Sequence, residues 1–233
     1  EDVNITTEGS TTTSASILYD ILRKISSNSN LIFDLKSENK LSLKSENSDF
    51  NLLCLPTDNF PTFSDEFDGK EISLNNQRFL KLLNKTKISI SNDDTRHYLN
   101  GVYLHLNEGN GRNFLTGVAT DSHRLSSSSL EVENIDTFSS VILPRKAVYQ
   151  LCSLLTENNE GLTMQTSENK IKFTLGKMKL ISKVIDGKFP DYRKVVPTKN
   201  EKSLIVPSKD FINSIERVAS VSIDRKEGVK LTI

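Results

Sequence analysis

Apolar residues along the chain follow two alternating periods. Four stretches carry them at the i, i+3, i+4, i+7 spacing that gathers side chains on one helical face. These are 14–26, with Ile17, Leu18, Ile21, Leu22 and Ile25; 75–85, with Phe79, Leu80 and Leu83; 144–155, with Val148, Leu151, Cys152 and Leu155; and 207–218, with Phe211, Ile212, Ile215 and Val218. Each is expected to be an amphipathic helix, with Pro144 and Pro207 in first turns, where a missing amide donor costs nothing. Between them, runs of period two at 30–35, 40–44, 50–55, 101–106, 114–119, 161–166, 170–175 and 178–185 predict half-buried strands. Short polar turns such as Ser37-Glu38-Asn39 and Ser167-Glu168-Asn169 suit antiparallel hairpins better than long parallel crossovers.

The helices recur. Matching Leu18, Leu80, Val148 and Ile212 gives steps of 62, 68 and 64 residues, and Phe60-Pro61-Thr62-Phe63 returns as Phe189-Pro190-Asp191-Tyr192 after 129 residues. The longer interval holds two helix-plus-sheet halves, so the expected fold is α+β, built from repeated helix and antiparallel-sheet units. On this count 1–70 is the back half of one repeat, 71–199 is a complete repeat and 200–233 begins a third. The chain does not open with Met and ends at Ile233 within a strand-like run from Gly228, so it is expected to be cut at both ends.

Composition narrows the function classes. A chain of 233 residues with 36% hydrophobic and 26% charged residues can bury a core, and no stretch approaches a membrane span. Its 30 basic residues balance 30 acidic ones, which argues against static wrapping of nucleic acid and permits a local, weak contact. The charge is segregated: 137–209 holds 13 Lys or Arg against 6 Asp or Glu, whereas 49–72 holds 1 against 6. Cys54 and Cys152, far apart in apolar segments, read as buried free thiols of a reducing, cytoplasmic compartment.

No catalytic site emerges. Asp121, Ser122 and His123 supply the residue types of a hydrolase triad, but consecutive residues cannot converge on one reacting atom. His97 and His105 lack the companion spacing of a metal site, and Asp65, Glu66 and Asp68 fall in a glycine-containing loop. No phosphate-binding glycine loop is present, so neither metal nor cofactor is expected.

Four segments carry a specific resemblance: Gly117-Val-Ala-Thr-Asp-Ser-His-Arg-Leu125, Tyr98-Leu-Asn-Gly101, Val141-Ile-Leu-Pro-Arg-Lys146 and Asp186-Gly-Lys-Phe-Pro-Asp-Tyr-Arg-Lys194. In this order and spacing the chain resembles the bacterial DNA polymerase III beta subunit family, the sliding clamps, over essentially its whole length. The resemblance implies the DNA clamp fold, with the three intervals above corresponding to the second half of domain one, all of domain two and the start of domain three. It also implies a non-catalytic homodimeric ring that encircles double-stranded DNA without sequence preference and tethers the polymerase. Its implied partners are the DNA polymerase III alpha subunit, the clamp loader, and other clamp-motif proteins such as repair polymerases and mismatch repair proteins. The alternative of another class is a peptide-binding scaffold that never contacts DNA.

By the same resemblance, a peptide pocket takes Leu99, Gly101, Thr120, Ser122, His123, Arg124, Leu125, Pro190, Lys194 and Val195. The ring-closing edge falls near 45–52, with Phe50 and Leu52 as apolar contacts. Candidate DNA-facing residues are Arg23, Lys24, Arg78, Lys81, Arg145, Lys146, Lys209 and Arg217 on or beside the helices, many off their apolar faces. Arg96, His97 and Tyr98 join them from a loop at 92–97. Two positions depart from the family pattern: Ser122 stands where glycine is usual, and Lys194 where arginine is common, a point charge in place of a planar fork.

Overall fold

The computed structural model describes residues 3–62, 67–133, 135, 138–158, 160–221 and 228–232. Asp65, Glu66 and Phe63 lie outside the described residues. In chain order the elements are β1 (Thr12–Thr13), α1 (Ala15–Leu22), β2 (Ile32–Ser37), β3 (Lys40–Ser45), β4 (Ser48–Leu55), β5 (Ile72–Leu74), α2 (Asn76–Thr86), β6 (Gly101–Gly109), β7 (Arg112–Thr120), β8 (Leu125–Val132), β9 (Val141–Pro144), α3 (Arg145–Glu157), β10 (Leu162–Thr166), β11 (Lys170–Leu175), β12 (Met178–Lys183) and α4 (Ser208–Ala219). They form three four-stranded antiparallel sheets, ordered β1-β4-β3-β2, β12-β11-β10-β5 and β8-β7-β6-β9. The described chain divides into two compact units, one of 1–76, 134–139 and 157–183, the other of 77–133, 140–156 and 184–233.

In the first unit, α1 opens with Ser14, whose hydroxyl accepts from the Ile17 amide and satisfies one orphan donor of the helix start. The helix ends at Leu22, short of the apolar pattern that reaches Ile25, because the polar run Ser26-Ser27-Asn28 favours turns over helix. Leu18 and Ile21 of α1 pack on Leu41, Leu52 and Cys54 of the sheet. Leu52 is therefore core, where the sequence expected an edge contact. Phe50, half-buried, lines a cavity of about 530 Å³ with Ile17, Ile21 and Ile25. Strand β4 pairs with β3 from Ser48 onward but with β1 only at Cys54 and Leu55, so, among the described residues, the stretch 48–52 has a strand neighbour on one side only. In the same unit β10 and β11 alternate strictly between buried and half-buried positions, as their period predicts.

In the second unit, α2 buries Phe79, Leu82, Leu83 and Thr86, so Leu82 replaces Leu80 on the expected apolar face. The Leu82 side chain lies where a β-carbon on Gly117 of β7 would go; glycine lets this helix and strand touch. Helix α3 buries Ala147, Val148, Leu151, Cys152 and Leu155. Neither proline occupies a first helical turn. Pro144 closes β9 opposite Gly101, and Pro207 is the N-cap of α4; at both positions the missing amide leaves no ladder bond unmade. Strand β12 stops at Lys183, two residues before expectation, since the Ile185 amide donates to Ile142 instead. Residues 94–99 form two 3₁₀ turns broken at Arg96, whose φ of −114° and ψ of 58° are not helical, where an open loop was expected. Helix α4 has no buried residue, and its Ile212 and Val218 are more than half exposed. No helix among the described residues is long and apolar enough to cross a membrane.

Candidate functional site

Strand β7 passes into β8 through a turn held by its own side chains. Asp121 Oδ1 accepts from the amides of His123 (3.0 Å) and Arg124 (2.9 Å), and its Oδ2 accepts from Arg124 Nε at 3.1 Å. Thr120 donates its hydroxyl to the Arg124 carbonyl at 2.7 Å and accepts from the Ser122 amide at 3.1 Å. Burial raises the pKa of Asp121, but the hydrogen bonds from Arg124 and His123 outweigh it, so the carboxyl titrates below its ordinary value. Ser122 sits at φ 75°, the left-handed region that suits the family's glycine. Its hydroxyl accepts from Arg96 Nη1 at 2.6 Å, while Arg96 Nε donates to Asp93 Oδ2 at 2.9 Å. Hydrogen bonds from the Thr95 hydroxyl and amide, then from Arg96, hold Asp93 below the usual carboxylate range.

A distant segment closes on the same strands. Phe189 is buried with Leu99, Val118 and Ile142, and Tyr98, Tyr103, Leu125, Ile185 and Tyr192 pack around them. Rings stack in sequence across this contact: Phe189 on Tyr103 (4.9 Å between centroids), Tyr103 on His105 (5.0 Å), and His105 tilted toward Tyr192 (5.7 Å). His105 Nε2 lies 3.0 Å from the Tyr192 hydroxyl, and Nδ1 lies 3.1 Å from the Leu106 carbonyl. Burial lowers the His105 pKa, against the Leu106 contact that raises it and with the help of nearby Arg193. Arg193 also donates to Asn107, so both ends of the 189–193 segment are tied to β6.

The residues expected to line a peptide pocket fall in different surroundings. Leu125 joins the cluster that holds Phe189, although 64 residues separate them. Ser122, His123, Arg124, Pro190, Lys194 and Val195 are exposed, with Val195 at 69%, and Thr120 is half-buried. Lys194 pairs with Asp191 at 3.4 Å. Leu99 and Gly101 are buried and belong to the core beneath: a β-carbon on Gly101 would collide with the Leu143 carbonyl, so strand packing demands that glycine.

The cations differ in how far they are engaged. Arg23 lies 3.8 Å from Asp20 and over the Tyr19 ring, and Arg96 is held by Asp93 and Ser122 rather than projecting freely. Tyr98 packs into the core cluster, while His97 is exposed and meets it edge-on. Lys24, Arg78, Lys81, Arg145, Lys146, Lys209 and Arg217 are all exposed on or beside α1 to α4. Lys87 and Tyr149, absent from the residues expected to face DNA, sit with Arg145: Lys87 Nζ is 5.4 Å and Arg145 Cζ 5.5 Å from the Tyr149 centroid. The i, i+4 spacing of Arg145 and Tyr149 is a readable signal; Lys87, beyond the end of α2, carries none. Burial raises the Cys152 pKa, with Lys87 partly opposing it, and neither cysteine is in a disulfide. Among the described residues no group of His, Cys, Asp or Glu could hold a metal ion.

Helices alternating with antiparallel sheets, a hydrogen-bonded Thr-Asp-x-His-Arg turn and exposed helical cations make up a protein of the DNA clamp class. A family model described as the DNA polymerase III beta subunit, central domain, matches residues 73–191, and one described as its N-terminal domain matches 1–64. The chain belongs to the DNA polymerase III beta subunit family. The beta sliding clamp of Caulobacter vibrioides is 35% identical over 227 residues, 97% of this chain, and that of Rickettsia felis is 35% identical over 235, 99% of this chain. The chain spans about three fifths (61%) of the length of these relatives. Among solved structures, the Bartonella birtlesii sliding clamp bound to griselimycin superimposes with a TM-score of 0.90 at 38% identity, covering 96% of this chain and 60% of that one. The Caulobacter crescentus beta sliding clamp gives 0.91 at 34%, covering 94% and 59%.

Proposed function

We propose that the full-length protein containing this chain is a non-catalytic sliding clamp of the cytoplasm. Two copies close a ring around duplex DNA and tether the replicative polymerase. The observation that carries this reading is the tandem match of two beta-subunit domains, at 1–64 and 73–191. The domain boundaries of this reading fall near 70/71 and 199/200, the first of them between the two matches. A ring that surrounds duplex cannot leave sideways, so a polymerase bound to it stays at the primer end through effective concentration rather than through new contacts. Long, exposed cations on the helices suit this task, since their attraction to phosphates is independent of sequence and easily exchanged. Ring closure draws on β4 at 48–52, where a second chain's strand has an open side to join, with Phe50 and the neighbouring cavity supplying apolar contact.

Partners engage through clamp-motif peptides from the polymerase, the loader and repair proteins. The peptide lies over Leu125, Pro190 and Val195, with Thr120, Ser122, His123, Arg124 and Lys194 at its polar rim. Leu125→Ala in the full-length protein should weaken a polymerase-derived peptide roughly tenfold or more, read by calorimetric titration. Unchanged affinity would move the pocket elsewhere. For the ring itself, the test is retention on nicked circular DNA after loading: linearising the DNA should release the protein and abolish its stimulation of polymerase processivity. Stimulation that survives linearisation, or peptide binding with no retention on the circle, would replace the clamp by a scaffold.

A further inference from the structure

We propose that Lys87 and Arg145, both held on the Tyr149 ring, form with the neighbouring Lys146 one preassembled site for a backbone phosphate of duplex DNA. The proposal rests on the DNA-encircling reading above and adds to it a residue, Lys87, and a positioning role, that of Tyr149. In the same unit Arg96, Arg112, Arg124 and Lys194 each have an Asp or Glu at ion-pair distance. Lys87, Arg145 and Lys146 have none among the described residues; the groups that Lys87 and Arg145 meet instead are the faces of one tyrosine ring, at 5.4 and 5.5 Å. Beside the ring opens a cavity of about 440 Å³ lined by Arg145, Lys146, Tyr149 and Gln150.

Like charges gathered without a counter-charge repel one another, so their convergence needs a cause. Here the cause is the ring, whose negative π-face attracts each cation and restricts two long side chains that would otherwise sample many rotamers. A site already ordered binds its anion with less loss of freedom than scattered lysines do. A phosphodiester suits the set: its two free oxygens can take the planar Arg145 fork and an ammonium, with the Gln150 amide as a neutral donor. Tyr149, 44% exposed, acts through its face and not through its hydroxyl.

The test measures binding of a labelled duplex to the full-length protein across a series of salt concentrations. The slope of log K against log salt becomes shallower by ~0.9 for each phosphate the protein ceases to neutralise. Lys87→Gln should make it shallower by about one such step, with a roughly three- to tenfold weaker affinity at low salt. Tyr149→Ala should do likewise, Tyr149→Phe should match the parent, and Lys177→Gln, in the β11–β12 turn of the other unit, should also match. If Arg145→Gln and Lys146→Gln weaken binding while Lys87→Gln and Tyr149→Ala do not, the ring-held site is wrong and the DNA reading stands. If none of the four has an effect, the DNA reading fails with it. Equal losses in Tyr149→Phe and Tyr149→Ala would refute the role of the ring face. Loss of ATP binding in these variants without loss of duplex binding would assign the site to a free nucleotide and overturn the proposal.

Discussion

Ser122 holds a backbone conformation in which a β-carbon crowds the following carbonyl, at a cost of roughly 1–2 kcal/mol. The bond its hydroxyl accepts from Arg96 offsets part of that cost, so the side chain that departs from the family pattern also ties the 93–99 segment to the turn. Ser122→Gly removes strain and bond together. Its unfolding free energy, from chemical denaturation, should stay within about 1 kcal/mol of the parent. Peptide affinity should be equal or better, and the range of peptides accepted broader; loss of binding with the fold intact would show that the hydroxyl itself meets the peptide. Asp121 gives a prediction in pH. Because the folded protein holds its pKa below the ordinary 3.8, the charged form stabilises the fold at neutral pH, and that contribution fades as pH falls through the lowered value. Asp121→Asn should therefore be less stable by about 1–2 kcal/mol at pH 7 and converge on the parent once the pH falls below the lowered pKa. A gap that persists in acid would mean that shape, not charge, holds the turn. The motif is legible in the sequence, as is the departure at Ser122. The partner of Ser122 is not, since Arg96 lies 26 residues away in a segment that reads as a loop.

At the scale of elements, two glycines set the spacing of the β8-β7-β6-β9 sheet and its helix. A β-carbon on Gly101 meets backbone, the Leu143 carbonyl of the paired strand, while one on Gly117 meets the branched end of Leu82. Backbone cannot yield where a side chain can. Gly101→Ala should thus be the more damaging, failing to fold or melting far below Gly117→Ala, whose overpacking should cost about 1–3 kcal/mol. Thermal melts in the reverse order would show that α2, not the strand pair, is the rigid neighbour. The helices and the longer strands were legible because their apolar periods run through several turns or pairs. Strands Ile72–Leu74 and Val141–Pro144 escaped because three or four residues cannot display an alternation. The body of β8, Leu125-Ser-Ser-Ser-Ser-Leu-Glu-Val132, hid its period behind serine. Ser129 and Ser126 exchange hydrogen bonds with Thr116 and Ser89, so polar pairs take the place that apolar contacts usually fill.

For the whole molecule, the neutral total conceals local imbalance, and function is expected to follow the local charge. Reversing Arg145 and Lys146 to Glu in the full-length protein should weaken duplex retention on the order of tenfold at low salt, with the melting temperature unchanged because both side chains are solvated. An intact fold with unchanged loading and retention would remove these residues from the DNA-facing set. The aromatic cluster reaches this scale through the composition of the chain. There is no tryptophan, and five tyrosines carry the near-ultraviolet emission. Three of them, Tyr98, Tyr103 and Tyr192, belong to the single cluster that underlies the Leu125 and Phe189 contact, two of them against the His105 ring. Tyr19 and Tyr149 report from beside cations. The chain thus carries its own unlabelled optical gauge: a change in tyrosine brightness on adding a peptide would report how firmly the 189–192 segment stays seated on its strands, and quenching by duplex would be read mainly at Tyr149.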